Sequence, residues 1–192
     1  ADAKDCFTGA IALKKDFAAA YNDRGSANKA LDLIDDAILD YKTATLHDPR
    51  LGLAYANLGT VYREKEAYDN AIKAYDKAIA IDSDNHIALN NRGYAKFLKE
   101  DYAQAIVDFK KAIQINSDYV FAHNNLASVY IKQEKFEEAV AASTKAIEID
   151  DTFGYAYCNR GIAQEMLRNE IQACEDWVTA SSLGVDLGER YY

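Results

Sequence analysis

The chain lacks the positive charge of a nucleic-acid-binding protein. Its 192 residues contain 22 lysines and arginines against 31 aspartates and glutamates, which gives a formal net charge of −9. A nucleic-acid-binding domain is expected to carry a basic surface, so the composition argues against that class. No apolar run approaches the ~18 residues that a membrane-spanning helix needs, so we expect no membrane insertion. No signal peptide is visible, and both the cytosol and the periplasm stay open as compartments.

Cysteine and proline are also scarce. The three cysteines form an odd and sparse set, so we expect no disulfide framework. The single proline, Pro49, lies in a predicted junction between two helices, where no helical N–H is needed.

Signatures of catalysis are missing as well. His47, His86 and His123 lie far apart in the chain, and no pair has the i, i+4 spacing of a metal site on a helix. No glycine-rich phosphate-binding loop is present. The acidic residues fall mainly on predicted outward faces and at helix ends, where a solvated role is the default. We therefore predict no catalytic residue, no metal site and no cofactor.

What the chain has instead is a 34-residue repeat. A fixed period of this length indicates a repeat array, in which each repeat contacts mainly its neighbours. Because the chain opens in the middle of a repeat and without methionine, we expect a fragment or a processed product. We predict one continuous domain with a half repeat at 1–17, full repeats at 18–51, 52–85, 86–119, 120–153 and 154–183, and a short tail or cap at 184–192.

Small and bulky residues recur at fixed places of the repeat. Small residues at the eighth place let two helices approach closely, and an aromatic residue at the twenty-fourth place fills the space beside them. Alanine also recurs at the third, twentieth and twenty-seventh places. The eighth place holds Gly25, Gly59, Gly93, Ala127 and Gly161, and the twenty-fourth holds Phe7, Tyr41, Tyr75, Phe109 and Trp177, with Ser143 as the exception.

This pattern resembles the tetratricopeptide repeat (TPR) and covers nearly the whole chain. The resemblance implies an all-α fold, a right-handed superhelix or α-solenoid of antiparallel helix pairs. In the second repeat the helices are predicted at about 52–65 and 68–81, and the others follow at 34-residue steps. Acidic or polar junction residues, such as Asp48, Asp82, Asn116 and Asp150, are predicted to cap the next helix. A fold of this kind does not by itself fix a function.

A second pattern alternates between successive repeats. Arginine at the seventh place occurs only in repeats that have aspartate at the twenty-third, and the guanidinium fork suits a carboxylate. We predict a structural ion pair between the two helices of each such repeat. The alternative is that these arginines bind an anion in the groove. The predicted pairs are Arg24 with Asp40, Arg92 with Asp108, and Arg160 with Asp176.

Asparagine recurs on one face of the first helix of each pair, the face that lines the concave groove in TPR proteins. An amide donates and accepts at once, so it suits the backbone of an extended peptide. The series is similar to the asparagine ladder of O-linked N-acetylglucosamine transferase. The alternative is that asparagine here simply helps the fold. The residues are Asn57, Asn91, Asn125 and Asn159 at the sixth place, and Asn22, Asn90 and Asn124 at the fifth.

The rest of this groove changes character along the chain. The N-terminal part is polar and partly basic, with Lys29 and Arg63 at the twelfth place. From residue 86 onward apolar side chains dominate, and a large exposed patch of them indicates a partner. The alternative is that most of them pack between repeats. The predicted partner contacts are Ile87, Tyr94, Phe97, Phe121 and Tyr155.

These features predict an adaptor that binds an extended peptide of another protein in its groove. Two alternatives stay open: a scaffold that self-associates through the N-terminal half repeat, and the regulatory TPR region of a larger protein. One family mode is excluded, because chaperone-tail binding by a carboxylate clamp uses a lysine at the fifth place. That place holds Asn22, Ala56, Asn90, Asn124 and Cys158.

Overall fold

The structure is a computed structural model that describes residues 3–186. Every regular element in this range is an α-helix, so the predicted all-α fold class is confirmed. In chain order the helices are α1 (Ala3–Leu13), α2 (Ala18–Ala30), α3 (Ile34–His47), α4 (Gly52–Glu64), α5 (Tyr68–Ile81), α6 (His86–Leu98), α7 (Tyr102–Ile115), α8 (Val120–Lys132), α9 (Phe136–Ile149), α10 (Gly154–Met166) and α11 (Glu170–Ser182).

The helices divide into two compact bodies, and the boundary falls between Lys99 and Glu100. In the N-terminal body, α1 packs on α2, and the pairs α2–α3 and α4–α5 stack through α3 and α4, with α6 against α5. In the C-terminal body, α7 packs on α8, and the pairs α8–α9 and α10–α11 stack through α9 and α10. Within each body the helix pairs follow one another as in the predicted solenoid. The pairing of α6 with α7 stays a prediction.

Glycine at the eighth place has a direct steric reason. A Cβ built on Gly59 would lie 2.7 Å from Cε1 of Tyr75, and one on Gly25 would lie 2.8 Å from Cε1 of Tyr41. Both rings are buried, with exposed fractions of 1% for Tyr41 and 0% for Tyr75. Their hydroxyls lie 3.1 Å from the hydroxyl oxygens of Ser26 and Thr60, respectively. The eighth and twenty-fourth places are therefore one packing unit.

The fourth full repeat supports this interpretation, because both of these places differ there together. Its twenty-fourth place is Ser143, which is fully buried, and its eighth place is Ala127, which is also fully buried. In this repeat the aromatic ring is missing from the twenty-fourth place, and the eighth place carries the methyl group of an alanine. In the last repeat the pattern returns, because a Cβ on Gly161 would lie 2.5 Å from Nε1 of Trp177.

The turn between the helices of a pair uses the left-handed backbone region without glycine. The residues with positive φ are Asp32, Glu66, Glu100, Glu134 and Arg168, with φ between 58° and 65°. A left-handed residue after a helix lets the next N–H groups satisfy the last carbonyl groups. Accordingly, the N–H of Ala67 donates to the carbonyl of Tyr62 at 2.9 Å.

The prediction that the junction residues cap the following helix is wrong for Asp48, Asp82, Asn116 and Asp150. Each of them is the C-cap of the preceding helix and has an extended backbone. The side-chain oxygen of each accepts a hydrogen bond from the N–H two residues later, at 2.9 to 3.1 Å. These side chains therefore close the turn, as asparagine and aspartate commonly do. In the junction that contains Asp82, the true N-cap of the next helix is Asn85, whose side chain accepts a hydrogen bond from the N–H of Ala88.

The last described residues follow α11 directly. Gly184 has a φ of 86° and ends the helix, and the N–H of Val185 donates to the carbonyl of Ala180 at 3.0 Å. The predicted tail continues to residue 192, and residues 187–192 lie outside the described range.

Candidate protein-interaction surface

The asparagines of the N-terminal body link neighbouring repeats. Asn22 on α2 is buried, and its Oδ1 accepts a hydrogen bond of 3.0 Å from Nδ2 of Asn57 on α4. Nδ2 of Asn22 donates to Oδ1 of Asp23 at 3.1 Å. The fifth place of one repeat is thus bonded to the sixth place of the next.

The C-terminal body repeats this arrangement. Nδ2 of Asn159 on α10 donates to Oδ1 of Asn124 on α8 at 2.8 Å, and it lies 3.0 Å from Oγ of Ser128. Among the residues that the structure describes, none donates a hydrogen bond to Oδ1 of Asn57 or of Asn159. Both side chains are half-buried. The side-chain amide N–H groups of Asn57 and Asn159 therefore join neighbouring repeats.

The remaining asparagines lie on either side of the boundary between the bodies. Asn90 is buried, and its Nδ2 lies 3.4 Å from Oδ1 of Asn91. Asn91 and Asn125 are half-buried.

A row of four aromatic rings runs along the C-terminal body at the starts of α8 and α10. The ring centroids of Tyr119 and Phe121 are 5.5 Å apart, those of Phe121 and Phe153 are 5.4 Å apart, and those of Phe153 and Tyr155 are 5.8 Å apart. The middle pair meets edge to face, a preferred geometry for aromatic pairs. Phe121 is 49% exposed and Tyr155 is 62% exposed. We call these four residues the aromatic row.

Within the aromatic row, burial shifts the pKa of Tyr119. Desolvation raises the pKa of the Tyr119 hydroxyl above its usual value, because burial disfavours the phenolate. Tyr119 and Phe153 are half-buried, whereas Phe121 and Tyr155 are exposed.

The apolar side chains predicted for the N-terminal body differ in exposure. Ile87 is 50% exposed, whereas Tyr94 and Phe97 on the same helix are half-buried. The rings of Tyr94 and Phe97 stack with centroids 5.9 Å apart. Cζ of Arg63 lies 5.3 Å from the centroid of the Tyr94 ring. This part of the surface therefore combines a cation with aromatic rings.

For two of the three predicted arginine–aspartate pairs, both members belong to the same body: Arg24 and Asp40 to the N-terminal body, and Arg160 and Asp176 to the C-terminal body. Nε and Nη2 of Arg24 bind the two carboxylate oxygens of Asp40 at 2.9 and 2.6 Å. Arg160 binds Asp176 with the same two distances. Both carboxylates are buried. In each pair the hydrogen bond to the carboxylate raises the pKa of the guanidinium above its usual value, against the opposing effect of burial.

The third predicted pair, Arg92 with Asp108, would join the two bodies and stays a prediction. Within the N-terminal body Arg92 has a partner that the sequence pattern did not indicate, because its Nη1 lies 2.7 Å from Oδ1 of Asp76. Asp76 belongs to the preceding repeat. Arg160 similarly reaches the preceding repeat, with Nη1 3.4 Å from Oγ1 of Thr144. Arg92 and Arg160 thus each contact the repeat before their own.

The described residues contain no group of three or more histidine, cysteine, aspartate or glutamate side chains arranged to hold a metal ion. Within residues 3–186, no helix combines the length and the apolar character that crossing a bilayer requires.

Comparison with known families identifies the class of the protein. Tetratricopeptide repeat profiles match residues 59–99, 86–119 and 122–153. Together with the helix pairs and their spacing, these matches establish that the chain is a tetratricopeptide repeat protein, a class of protein-interaction module. No curated protein matches the sequence.

Solved structures of TPR proteins have the same fold. MamA is 26% identical, with a TM-score of 0.74 over 83% of this chain and 93% of that chain. The structure of pilF from Pseudomonas aeruginosa is 22% identical, with a TM-score of 0.81 over 88% and 77% of the two chains. YrrB, described as a TPR protein with an unusual peptide-binding site, is 22% identical, with a TM-score of 0.73 over 93% and 92%.

Sequence reasoning did not find every member of this surface. Tyr119 and Phe153 occupy the last place of their repeats, which reads as a junction, yet both complete the aromatic row. The signal was available, because an aromatic residue at the last place precedes an aromatic residue at the second place in two successive repeats.

Proposed function

We propose that this protein is a non-catalytic adaptor that binds an extended peptide segment of another protein on the first-helix surface. This surface consists of the side chains at the second, fifth, sixth, ninth and twelfth places of the repeats. The observation that carries the proposal is the aromatic row with its two exposed rings, Phe121 and Tyr155. The peptide-binding site named for the structurally similar YrrB supports the same kind of ligand.

The chemistry of the C-terminal body suits an extended chain. Exposed rings of Phe121 and Tyr155 offer large apolar surfaces at the second place of successive repeats. Aromatic residues often dominate the energetics of such contacts, because they bury much area at a low entropic cost. The Oδ1 atom of Asn159 then accepts a hydrogen bond from a peptide N–H. Alternate side chains of an extended peptide point to one side, so they can lie against successive rings.

The test is site-specific photo-crosslinking in cells of the source organism. A photoreactive phenylalanine derivative replaces Phe121 in one variant and Val107 in a control variant. Val107 on α7 is also apolar and is 57% exposed, but it lies at the twenty-second place, outside the first-helix surface. The proposal predicts one crosslinked segment that is recovered from position 121 and not from position 107.

A synthetic peptide of that segment provides the quantitative step. Phe121→Ala should weaken its binding by about tenfold or more, as expected for a well-packed aromatic contact, whereas Val107→Ala should leave binding unchanged. Equal crosslinking at both positions, or equal affinities of the two variants, would contradict the proposal.

Self-association is a second proposal, and it rests on α1. None of the residues of α1 is buried, although the helix packs on α2. Leu13 at its end is 93% exposed. We propose that a second copy covers this helix at high concentration. Light scattering coupled to size-exclusion chromatography should then show a mass that rises with concentration and falls in Leu13→Lys. A constant monomer mass would contradict self-association.

A further inference from the structure

Arg63 differs from the other arginines in the helices of the N-terminal body. Arg24 is bound by Asp40, and Arg92 is bound by Asp76. Arg63 makes no ion pair with any residue in the described range. The adjacent acid, Glu64, is already occupied, because its Oε1 lies 2.7 Å from Nζ of Lys29. Of the two cations at the twelfth place, one is therefore neutralised and the other is not.

The surroundings of Arg63 hold its guanidinium in place. Its Cζ lies 5.3 Å from the centroid of the Tyr94 ring, within the range of a cation–π contact. Nε of Arg63 is buried and has no hydrogen-bond acceptor among the described residues. The positive charge also acts on Tyr75, where it opposes the burial that raises the pKa of the hydroxyl. Because the buried Nε is closed to a ligand, the Nη atoms of Arg63, which are not among the buried unpaired atoms, are the donors that a carboxylate can reach.

We propose that Arg63 is a receptor for a carboxylate of the bound peptide. This inference rests on the proposed function and names one feature of the ligand. A guanidinium presents its donors in a rigid fork that binds a carboxylate through two parallel hydrogen bonds. The Tyr94 ring lies beside this fork in cation–π contact, and the carboxylate comes from an acidic side chain or from the C-terminus of the peptide.

This site is distinct from the carboxylate clamp that the sequence excludes. The clamp would use a lysine at the fifth place, whereas Arg63 lies at the twelfth place of the second full repeat. Because the chain has a net charge of −9, a strongly acidic peptide is repelled at long range. The ligand is therefore expected to carry an isolated acid opposite Arg63 rather than an acidic run.

The experiment measures the Nε–H resonances of arginine in the ¹⁵N-labelled full chain at mildly acidic pH. Arg63→Lys identifies the Arg63 signal by its loss, and Arg63→Gln provides a second assignment if the first variant is unstable. Three small probes separate the sources of the carboxylate. N-acetylglutamate α-amide carries only a side-chain carboxylate, N-acetylglutamine carries only a terminal carboxylate, and N-acetylglutamine amide carries neither.

The proposal predicts a saturating shift of the Arg63 signal with at least one carboxylate probe and none with the uncharged amide. The tighter of the two carboxylate probes identifies the source. The signals of Arg24 and Arg160 should not respond, because Asp40 and Asp176 already occupy their Nε–H groups. Tyr94→Leu should weaken binding by about fivefold, through loss of the cation–π contact.

Two results would overturn the assignment. One is the absence of a saturating shift at Arg63 with either carboxylate, or an equal shift with the uncharged amide. The other is a tighter response to inorganic phosphate than to both carboxylates. Failure here is separable from failure of the adaptor proposal, because crosslinking at position 121 in the other body does not depend on Arg63.

Discussion

Replacing Gly59 by alanine tests the packing unit on which each repeat depends. Alanine is the better helix former by about 1 kcal/mol, so propensity alone predicts stabilisation. The structure predicts the opposite, because the new Cβ would lie 2.7 to 2.8 Å from three atoms of the Tyr75 ring. Carbon atoms in ordinary contact are about 3.5–4.0 Å apart, so the overlap is close to 1 Å.

The Tyr75 ring has little freedom to move away and relieve this overlap. Tyr75 is fully buried, and its hydroxyl is held by Thr60 at 3.1 Å. Overpacking of a tight core typically costs about 1–3 kcal/mol, and a rigid ring favours the upper half of that range. After subtraction of the gain in helix propensity, Gly59→Ala should lower the free energy of unfolding by about 1–2 kcal/mol.

Urea unfolding followed by circular dichroism measures this change, and Gly9→Ala is the matched control. Gly9 is also inside a helix, but a Cβ built on it meets no atom within 4 Å. This control should be neutral or stabilise the protein by up to about 1 kcal/mol.

A double-mutant cycle with Tyr75→Ser makes the test decisive. The double variant copies the Ala127 and Ser143 combination of the fourth full repeat. Tyr75→Ser alone destabilises the protein by forming a cavity. In that background Gly59→Ala should become stabilising, with a coupling energy of about 1–3 kcal/mol between neighbours. An equal effect of Gly59→Ala in both backgrounds would refute the steric explanation.

Two further predictions concern charge. Arg160→Gln removes the partner of buried Asp176 and should lower the free energy of unfolding, measured in urea, by about 1–3 kcal/mol. This is less than the cost for a fully buried pair, because the arginine is partly exposed. An unchanged free energy of unfolding, or no recovery of stability when Asp176→Asn is added, would contradict this prediction. Burial raises the pKa of Tyr41 and Tyr75 above the ordinary value of 10.0. Their contribution to stability is therefore complete below about pH 10 and is lost as the pH rises through the higher folded pKa. Tyr75→Phe should make the fall of the unfolding free energy with alkaline pH less steep, and an unchanged slope would show that Tyr75 does not contribute.

The helix positions were predictable from sequence because packing in a repeat protein is local and periodic. The predicted helices at about 52–65 and 68–81 correspond to α4 and α5, which the structure places at Gly52–Glu64 and Tyr68–Ile81. The turn residues with positive φ were not predictable from composition. At Glu66 and its equivalents the chain uses charged residues where a glycine would have given the signal.

The site was less predictable, because it depends on where side-chain atoms point. The sequence placed Asn57 and Asn159 on the correct helices, but only the coordinates show that their Nδ2 atoms bond to the preceding repeat. Whether Arg63 has an ion-pair partner depends on which cation Glu64 binds. Glu64 adjoins Arg63 in sequence but pairs with Lys29 on another helix, and no periodic pattern reports that choice.

The most direct test of the proposed binding surface is to locate the captured peptide by intermolecular nuclear Overhauser effects. A labelled sample of the complex would report contacts from the peptide to Phe121 and Tyr155 and to the side-chain amide of Asn159. The adaptor proposal predicts contacts at these residues and none at Val107 on α7. Contacts at Val107, with none at the aromatic row, would contradict it.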